Sequence, residues 1–368
     1  MKKILFYIHS LNKGGAERVL LTVAEELNKT EDYESVILTD VVDELEYNLP
    51  TGIRREVIDA DGNRMNSAKR IKSIREKIVK EDPDEVIVFM LSSVIRASIA
   101  LIGTRYRIIG TVRSNPYDDY SSGRNRELLM WAMRRCKYMV CQTEYQVEFF
   151  PNKYRDKCVV ISNPIFTEFA LKAEPLSAHK DASTHTESND TESLEGKITA
   201  TGRLFDYKNH KLLINAFSMI VASYPNVRVI IYGEGPYRSA LESEIESLGL
   251  KDRVLLPGDS EHVSEDIADS LIYVLPSDTE GLPNALMEAM ALGLPVISTD
   301  CPCGGPRSLI NDGINGMLIP VGDTNALAEA LDKLLKDENL RTLIGNNAKN
   351  ILITNSIDVI VDKWKKIV

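Results

Sequence analysis

Long apolar runs and metal-ligand clusters are both missing from this chain of 368 residues. No apolar run approaches the ~20 residues that a membrane-spanning helix requires, and the run at residues 4–8 is too short for the core of a signal peptide. The cysteines number five, an odd set without a secretory signal, which favours reduced thiols and a cytoplasmic location. No His or Cys pair completes a four-ligand set with Cys301 and Cys303, so the sequence predicts no metal centre.

Charge is distributed unevenly, because residues 1–170 carry a net charge of +1 and the remainder carries −11, which together give the net charge of −10. Basic side chains cluster at residues 69–80 and 124–137, and the second cluster surrounds Trp131. Two interpretations stay open. Each cluster is an ordinary solvated helix face, or it attracts the chain to an anionic membrane surface with Trp131 at the headgroup level. The acidic balance and the lack of aromatic–basic interleaving predict no nucleic-acid partner.

Short apolar runs alternate with amphipathic stretches along nearly the whole chain, which indicates a doubly wound α/β fold. Residues 172–196 interrupt the alternation, since they are polar and too poor in large apolar side chains to bury a core. We therefore predict an N-terminal Rossmann-like domain over 1–170, a flexible linker over 171–196, a C-terminal Rossmann-like domain over 197–354, and a helix over 355–368 that crosses back to the N-terminal domain. Ligands bind at strand ends in such folds, so the cleft between the domains is the expected site.

The periodicity also predicts where the main helices lie. In the first domain they span residues 16–27, 68–79 and 126–135. In the second they span residues 211–221, 237–248, 283–292 and 326–335, and the last helix covers 357–367.

Each predicted domain begins with a strand, a glycine-containing loop and a helix. Gly14 and Gly15 precede the first helix, whereas Arg203 and Lys208 follow the strand that ends at Thr201. Glycines allow a ligand to approach the backbone, a helix start can receive phosphate, and a guanidinium with an ammonium suits a diphosphate. Taken singly, a plain turn or a pair of surface cations explains these loops as well.

Two further segments carry candidate ligand contacts. Gly233 and Gly235 form a strand-end turn that suits a nucleobase or ribose. Glu280 and Glu288 lie eight positions apart in the segment Glu280-Gly-Leu-Pro-Asn-Ala-Leu-Met-Glu288. Along a continuous helix they would lie ~12 Å apart, whereas the paired carboxylates of a retaining hydrolase lie roughly 5 Å apart. We interpret the two glutamates as a clamp on two parts of one long ligand.

Together these segments resemble glycosyltransferase family 4, whose members are retaining enzymes of the GT-B type, with two Rossmann-like domains facing across a cleft. The resemblance covers nearly the whole chain and is strongest over 198–335. It is carried by Gly14-Gly-Ala-Glu-Arg18, Thr201-Gly-Arg-Leu204 with Lys208, Tyr232-Gly-Glu-Gly235, Ser277-Asp-Thr-Glu-Gly-Leu-Pro-Asn284 and Glu288-Ala-Met-Ala291.

One further loop, Thr299-Asp-Cys-Pro-Cys-Gly-Gly-Pro-Arg307, is similar to the Cys-Pro-Ser-Gly-Pro loop of members that transfer galactose or N-acetylgalactosamine to lipid-linked or surface glycans. Here Cys303 stands in place of the usual Ser, and one Gly is added.

The resemblance implies a UDP-sugar donor (UDP-Gal, UDP-GalNAc or UDP-GlcNAc), a polyprenyl-linked or surface-polysaccharide acceptor, and work at the inner membrane face. It implies that Arg203 and Lys208 hold the donor diphosphate and stabilise its growing charge. Glu280 would accept hydrogen bonds from donor-sugar hydroxyls, and Glu288 from the ribose. The other implied donor-binding residues are Gly14, Gly15, Gly233, Gly235, Gly281, Leu282, Pro283 and Asn284. No metal or other cofactor is implied.

Many family members carry a histidine after the strand that ends near Val112, where this chain has Arg113-Ser-Asn115. We predict that Arg113 or Asn115 takes its place at the donor sugar, although an arginine paired with a surface carboxylate fits equally well.

Two alternative functions stay open. A sugar-nucleotide epimerase on the same fold would need no acceptor. A non-catalytic GT-B partner protein predicts the loss of clamp residues, whereas all of these are present.

Overall fold

The computed structural model describes residues 1–59, 65–172 and 194–368. Its strands are β1 (Lys2–Ile8), β2 (Tyr33–Thr39), β3 (Arg54–Val57), β4 (Glu85–Phe89), β5 (Ile108–Thr111), β6 (Cys136–Cys141), β7 (Cys158–Val160), β8 (Glu195–Thr201), β9 (Asn226–Tyr232), β10 (Val254–Gly258), β11 (Ile272–Leu275), β12 (Val296–Thr299) and β13 (Met317–Ile319). Its α-helices are α1 (Gly15–Asn28), α2 (Ser67–Glu81), α3 (Leu91–Ala100), α4 (Pro116–Tyr120), α5 (Gly123–Ala132), α6 (Glu144–Glu148), α7 (Asn152–Arg155), α8 (Thr167–Lys172), α9 (His210–Ile220), α10 (Arg238–Ser247), α11 (Val263–Asp266), α12 (Asn284–Ala291), α13 (Thr324–Lys336), α14 (Glu338–Ala348), α15 (Ile351–Thr354) and α16 (Ile357–Lys365).

The chain divides into two compact units. Unit 1 comprises Met1–Pro164 and Ile357–Val368, and unit 2 comprises Ile165–Ser356. Within each unit, parallel strands form one sheet, of seven strands in unit 1 and six in unit 2. The predicted doubly wound α/β fold class is therefore confirmed.

In unit 1 the strand order is β3-β2-β1-β4-β5-β6-β7. The central strands are apolar runs without alternation, as expected when helices cover both faces of a sheet, and Leu5, Val86 and Val88 are fully buried. The chain runs outward from β1 through β2 to β3 and then returns to β4 on the other side of β1. The β1/β4 pair is therefore the topological switch point, where ligands bind in such sheets.

In unit 2 the order is β10-β9-β8-β11-β12-β13, which places the equivalent switch point between β8 and β11. The core lies around α9 and α13, whose apolar faces bury Leu213, Phe217, Leu327 and Leu331. In both units the strand order therefore reverses at one pair of adjacent central strands, and the units differ in the strands that lie outside that pair.

The units begin and end differently from the predicted domains. The predicted first domain ran to residue 170, whereas α8 belongs to unit 2, where it packs against α11 and α12 and Lys172 pairs with Glu265 at 2.6 Å. The last helix, α16, is part of unit 1, where Trp364 stacks on Phe89 with ring centroids 6.3 Å apart. Most of the predicted linker lies outside the described residues.

The basic segments of unit 1 are only partly available to a partner. Arg75 donates to the carbonyls of Ala100 and Ile102, and Lys77 pairs with Glu56 at 2.6 Å. Trp131 packs against the hydrophobic core of unit 1. No helix in residues 1–59, 65–172 or 194–368 is both long and apolar enough to cross a bilayer.

Candidate active site

An ion pair lies at the switch point of unit 2. Lys208 Nζ is 2.6 Å from Glu280 Oε1, and the two side chains are only 19% and 11% exposed. Lys208 follows β8 and Glu280 follows β11, the two strands between which the chain order reverses. The pair therefore joins two predicted site residues that are separated by 72 positions in the sequence.

Backbone geometry holds Lys208 in this place. Residues 206–208 form a 3₁₀ turn that ends at Asn209, which has a left-handed φ of 46° and caps α9 by accepting a hydrogen bond from the Leu212 amide. The Asn209 side-chain amide also donates to Asp278 at 2.8 Å, and the Asp278 amide donates to the Tyr207 carbonyl. The residues on either side of Lys208 thus both bind Asp278 in the loop after β11.

Glu280 has a second fixed neighbour. Ser277 Oγ donates to Glu280 Oε1 at 2.7 Å, and the Ser277 carbonyl in turn accepts from Thr299 Oγ1 and, at 3.0 Å, from Cys301 Sγ. Burial raises the pKa of Cys301 to about 12, and the charge of Glu280 adds to this effect while Lys208 opposes it. The thiol is therefore neutral at physiological pH and acts as a hydrogen-bond donor to the loop.

Arg203 is exposed at the start of the same loop. Its guanidinium lies 5.0 Å from the centroid of the Phe205 ring, and its Nη2 is 3.5 Å from the Tyr207 hydroxyl. Within the described ranges it forms no salt bridge with a carboxylate. An anion that binds beside Lys208 would therefore find a second, uncompensated cation on the same strand-end loop.

Close backbone approaches account for several of the predicted glycines. A Cβ at Gly233 would lie 2.0 Å from the Gly202 carbonyl oxygen, and one at Gly235 would lie 2.4 Å from that of Leu204. This turn is bound to the β8 loop by the Leu204 amide, which donates to the Glu234 carbonyl at 2.8 Å. The turn thus supports the Arg203 loop, and its contact with a nucleoside stays a prediction.

The loop that carries Glu280 is packed just as tightly. A Cβ at Gly305 would lie 1.8 Å from the Gly281 carbonyl oxygen, so the segment with the added glycine presses against the Glu280 loop. Leu282 and Pro283 are buried there, and α12 begins at Asn284 with Pro283 as its extended N-cap.

The two glutamates differ in their surroundings. Glu280 lies in the loop before α12, whereas Glu288 lies inside α12 and is 8% exposed. The ~12 Å spacing expected along a continuous helix therefore does not apply to the two glutamates. Burial raises the pKa of the Tyr273 phenol, and the charges of both Glu288 and Glu280 raise it further. The charges of both carboxylates therefore act on the same buried phenol.

The predicted site residues of unit 1 lie at the carboxyl edge of its own sheet. Gly14 is the N-cap of α1, and Gly15 is its first residue. A Cβ at Gly14 would come within 3.4 Å only of the flexible end of Glu17, so the packing of unit 1 does not demand a glycine there. That observation agrees with the predicted close approach of a ligand, which stays a prediction.

Arg113 and Asn115 follow β5. The Arg113 guanidinium lies 4.5 Å from the centroid of Phe89 and donates to Asn163 at 2.9 Å, while its Nε and Nη2 are buried without hydrogen-bond partners in the described structure. Burial lowers the pKa of Arg113 to about 9. Asn115 caps α4 and donates to Asp118. Among the described residues Arg113 forms no salt bridge with a carboxylate, and its contact with the donor stays a prediction.

Sequence reasoning missed a second cluster in unit 1. His9 follows β1 and Asp40 follows β2, and the two side chains meet at 2.7 Å. The parallel register pairs Ile8 with Thr39, so the residues that follow them are neighbours. The available signal was the pair of polar residues directly after two adjacent apolar strands.

Comparison with known proteins identifies the class. Residues 13–169 match the family model "Glycosyltransferase Family 4", and residues 183–351 match "Glycosyl transferases group 1". A Campylobacter jejuni protein named GalNAc-alpha-(1->4)-GalNAc-alpha-(1->3)-diNAcBac-PP-undecaprenol alpha-1,4-N-acetyl-D-galactosaminyltransferase is 28% identical over 100% of this chain and 98% of its own length.

Two further matches differ in coverage. An exopolysaccharide phosphotransferase of Streptomyces coelicolor is 38% identical over 48% of this chain, but the match spans only 19% of that protein. The crystal structure of Anabaena Alr3699/HepE in complex with UDP superposes with a TM-score of 0.79 at 19% identity, covering 100% of this chain and 99% of that one.

The two matched models and the shared fold define a hexosyltransferase of the GT-B type. More closely, the chain belongs with the glycosyltransferases of family 4 and group 1, and the resemblance drawn from its motifs is confirmed.

Proposed function

We propose that the chain is a retaining glycosyltransferase that moves a hexose or N-acetylhexosamine from a UDP-sugar to a lipid-linked or surface-polysaccharide glycan. The observation that carries the proposal is the Lys208–Glu280 pair at the switch point of unit 2, with the uncompensated Arg203 on the same loop. The Campylobacter relative is named for an undecaprenol-linked glycan acceptor, and the Anabaena neighbour was solved with UDP, which supports the substrate classes.

The ion pair suits a donor that carries both a diphosphate and a sugar. The diphosphate would attract Lys208 and Arg203, and Glu280 would then accept hydrogen bonds from sugar hydroxyls while Ser277 still holds its carboxylate. Glu288 would accept from the ribose. Because the two cations are positioned before the reaction, they stabilise the charge that develops on the departing diphosphate.

We propose a reaction on one face of the donor sugar. The bond between the anomeric carbon and the diphosphate oxygen breaks, and the acceptor oxygen bonds to the same face of that carbon. The departing diphosphate takes the acceptor proton, so configuration is kept without a protein nucleophile. The Cys301 thiol, whose pKa is raised to about 12, is a poor nucleophile for the alternative two-step route.

We also propose that the enzyme works at the inner membrane face as a peripheral protein. Lys69, Lys72 and Lys80 on α2 are exposed, and cations of this kind attract a protein to anionic lipid. Acceptors of the lipid-linked class would be concentrated at that surface.

The test is a product assay. The purified protein is incubated with UDP-Gal, UDP-GalNAc or UDP-GlcNAc and a glycosylated polyprenyl-diphosphate acceptor, and we expect an α-linked product from one of the donors. A β-linked product would contradict retention. Conversion of one UDP-sugar into another without acceptor would favour the epimerase, and no turnover or UDP-sugar binding would favour a non-catalytic partner.

A further inference from the structure

The carboxyl edge of unit 1 holds a hydrogen-bonded cluster around one buried carboxylate. Asp40 is fully buried and accepts from the Tyr7 hydroxyl, from His9 Nδ1 and from Arg96 Nη1, each at 2.7 Å. Burial would raise the pKa of Asp40, but the hydrogen bonds from His9 and Tyr7 and the charge of Arg96 lower it overall. Asp40 is therefore an ionised group that holds three donors in fixed positions.

His9 is the most accessible member of this cluster, ahead of Arg96 at 23% exposure. Its side chain is 50% exposed, whereas Asp40 beneath it has no exposed surface. An ionised carboxylate can only accept hydrogen bonds, so His9 Nδ1 must carry a proton, and in the neutral ring Nε2 then carries the lone pair. Nε2 has no hydrogen-bond partner in the described residues. The cluster thus presents one oriented acceptor atom toward solvent.

The cluster lies where the fold favours a ligand. His9 follows β1, and Arg96 lies on α3, which follows β4, so the two residues flank the switch point of unit 1. The turn between β4 and α3 passes through Met90 with a φ of 74°, a conformation that is costly for a residue with a side chain. Arg96 is further held by Ser93, to whose Oγ its Nη2 lies at 3.1 Å.

We propose that His9, held by Asp40, binds a hydroxyl of the acceptor sugar. The proposal rests on the proposed function. A lone pair on Nε2 accepts a hydrogen bond from a sugar hydroxyl, whereas a diphosphate oxygen has no proton to donate to it. The proposed function already assigns the donor-sugar hydroxyls to Glu280, which leaves the acceptor hydroxyls for the imidazole. His9 is then a binding residue, and Asp40 and Arg96 are its positioning residues.

The test compares two substitutions of His9 in the full chain, with the acceptor and donor that the product assay identifies. His9→Asn keeps an N–H at the position of Nδ1 and so keeps the Asp40 contact, but it lacks the Nε2 atom. His9→Ala removes both. We expect both variants to raise the KM for acceptor by about three- to tenfold, as loss of one hydrogen bond predicts. The KM for donor and the melting temperature of His9→Asn should match the wild type.

A matched control makes the same histidine-to-asparagine substitution at a position outside this cluster. His262→Asn replaces an exposed histidine at the N-cap of α11 and should leave both KM values unchanged. The proposal is overturned if His9→Asn keeps the wild-type KM for acceptor, or if the KM for donor rises as much as that for acceptor. A wild type that binds UDP-sugars but transfers to no acceptor would overturn the proposed function itself, and this proposal with it.

Discussion

At the switch point of its sheet, each unit holds a carboxylate bonded to a basic side chain, but the two arrangements are built differently. In unit 2, Glu280 and Lys208 are both slightly exposed and each is the other's main charged partner. In unit 1, Asp40 is completely enclosed, and its partners His9 and Arg96 reach solvent with side chains that are 50% and 23% exposed. A ligand can therefore reach both the cation and the carboxylate of the unit 2 pair, whereas in unit 1 it can reach the partners of the carboxylate but not the carboxylate itself.

The two units illustrate two different functions that a buried charged group can have. A buried ion pair contributes little net stability, and one that is retained at a switch point can instead serve a ligand that replaces it. A carboxylate that is fully satisfied by three donors fixes the orientation of a neighbour. Under the proposed function, Lys208 and Glu280 in unit 2 exchange partners during the reaction, whereas Asp40 in unit 1 keeps its hydrogen bonds.

The largest effect should come from removing the cation of the unit 2 pair. Lys208→Ala should lower kcat/KM by about 10²–10³-fold, since a lost electrostatic contact to developing charge costs that much in other enzymes. Steady-state kinetics at saturating acceptor measures this, and circular dichroism checks the fold. Lys211→Ala, on the exposed face of α9, is the control and should leave the rate unchanged. Near-normal activity of Lys208→Ala would remove that residue from the diphosphate role.

The histidines of the two units offer a second, smaller test. His210 begins α9 beside the site and is 3% exposed, unlike His9. Burial lowers the pKa of His210 to about 4, and the charge of Lys208 contributes to the shift. An unfolded histidine titrates near 6.5, so below that pH the unfolded chain binds a proton that the folded chain does not. The stability contribution of His210 is thus complete above about pH 6.5 and is lost as the pH falls toward 4.

Replacing the group should flatten this pH dependence. Each pKa unit corresponds to about 1.4 kcal/mol, so unit 2 should lose about 2 kcal/mol between pH 7.5 and 5 from this group alone. The urea midpoint of His210→Gln should fall less than that of the wild type over the same range, while His262→Gln should behave like the wild type. Parallel pH profiles for His210→Gln and the wild type would contradict the assignment.

The smallest expected effect concerns the charge difference between the two halves of the chain. Replacing Lys69, Lys72 and Lys80 with Gln should weaken binding to anionic liposomes by about fivefold at low salt. This is the change expected if one of the three lysines contributes ~1 kcal/mol to binding at the membrane surface. The difference should shrink as ionic strength rises. Co-sedimentation measures it, and the control replaces three exposed lysines of unit 2, namely Lys211, Lys251 and Lys333. Equal binding by both triple variants would identify α2 as a solvated helix face.

The alternation of apolar runs was sufficient to predict the fold class, because buried parallel strands are short apolar segments between polar turns. The helices that were not predicted are α3, α4, α6, α7, α8, α11, α14 and α15, of which α3 and α14 are the longest. Helix α3 begins at Leu91, and its N-cap is Met90, whose side chain forms no capping hydrogen bond, so no capping residue in the sequence marks its start. Helix α14 contains Gly345, a poor helix former, and a Cβ there would lie 2.1 Å from the Gly293 carbonyl oxygen. Tertiary packing requires a glycine at that position, and a local sequence pattern does not reveal such a requirement.

The sequence predicted those site residues that lie in recognisable motifs. The roles of Arg203, Lys208 and Glu280 were predicted from strand-end placement and family resemblance, and the structure adds that Lys208 and Glu280 touch. The His9–Asp40 pair was not predicted because neither residue lies in a recognisable motif. Only the register between β1 and β2 brings together two side chains that are 31 positions apart.

The return of α16 to unit 1 has a consequence for how the protein is made. Trp364 fills the core of unit 1 against Phe89 and lies 5.8 Å from the Arg113 guanidinium, yet it is synthesised after all of unit 2. Domains tend to fold in the order in which they leave the ribosome. Unit 2 can therefore complete its fold first. Unit 1, most of which is synthesised earlier, needs residues 357–368 to complete its core. Proteolytic trimming of those residues would therefore damage the part of the enzyme farthest from them in the sequence.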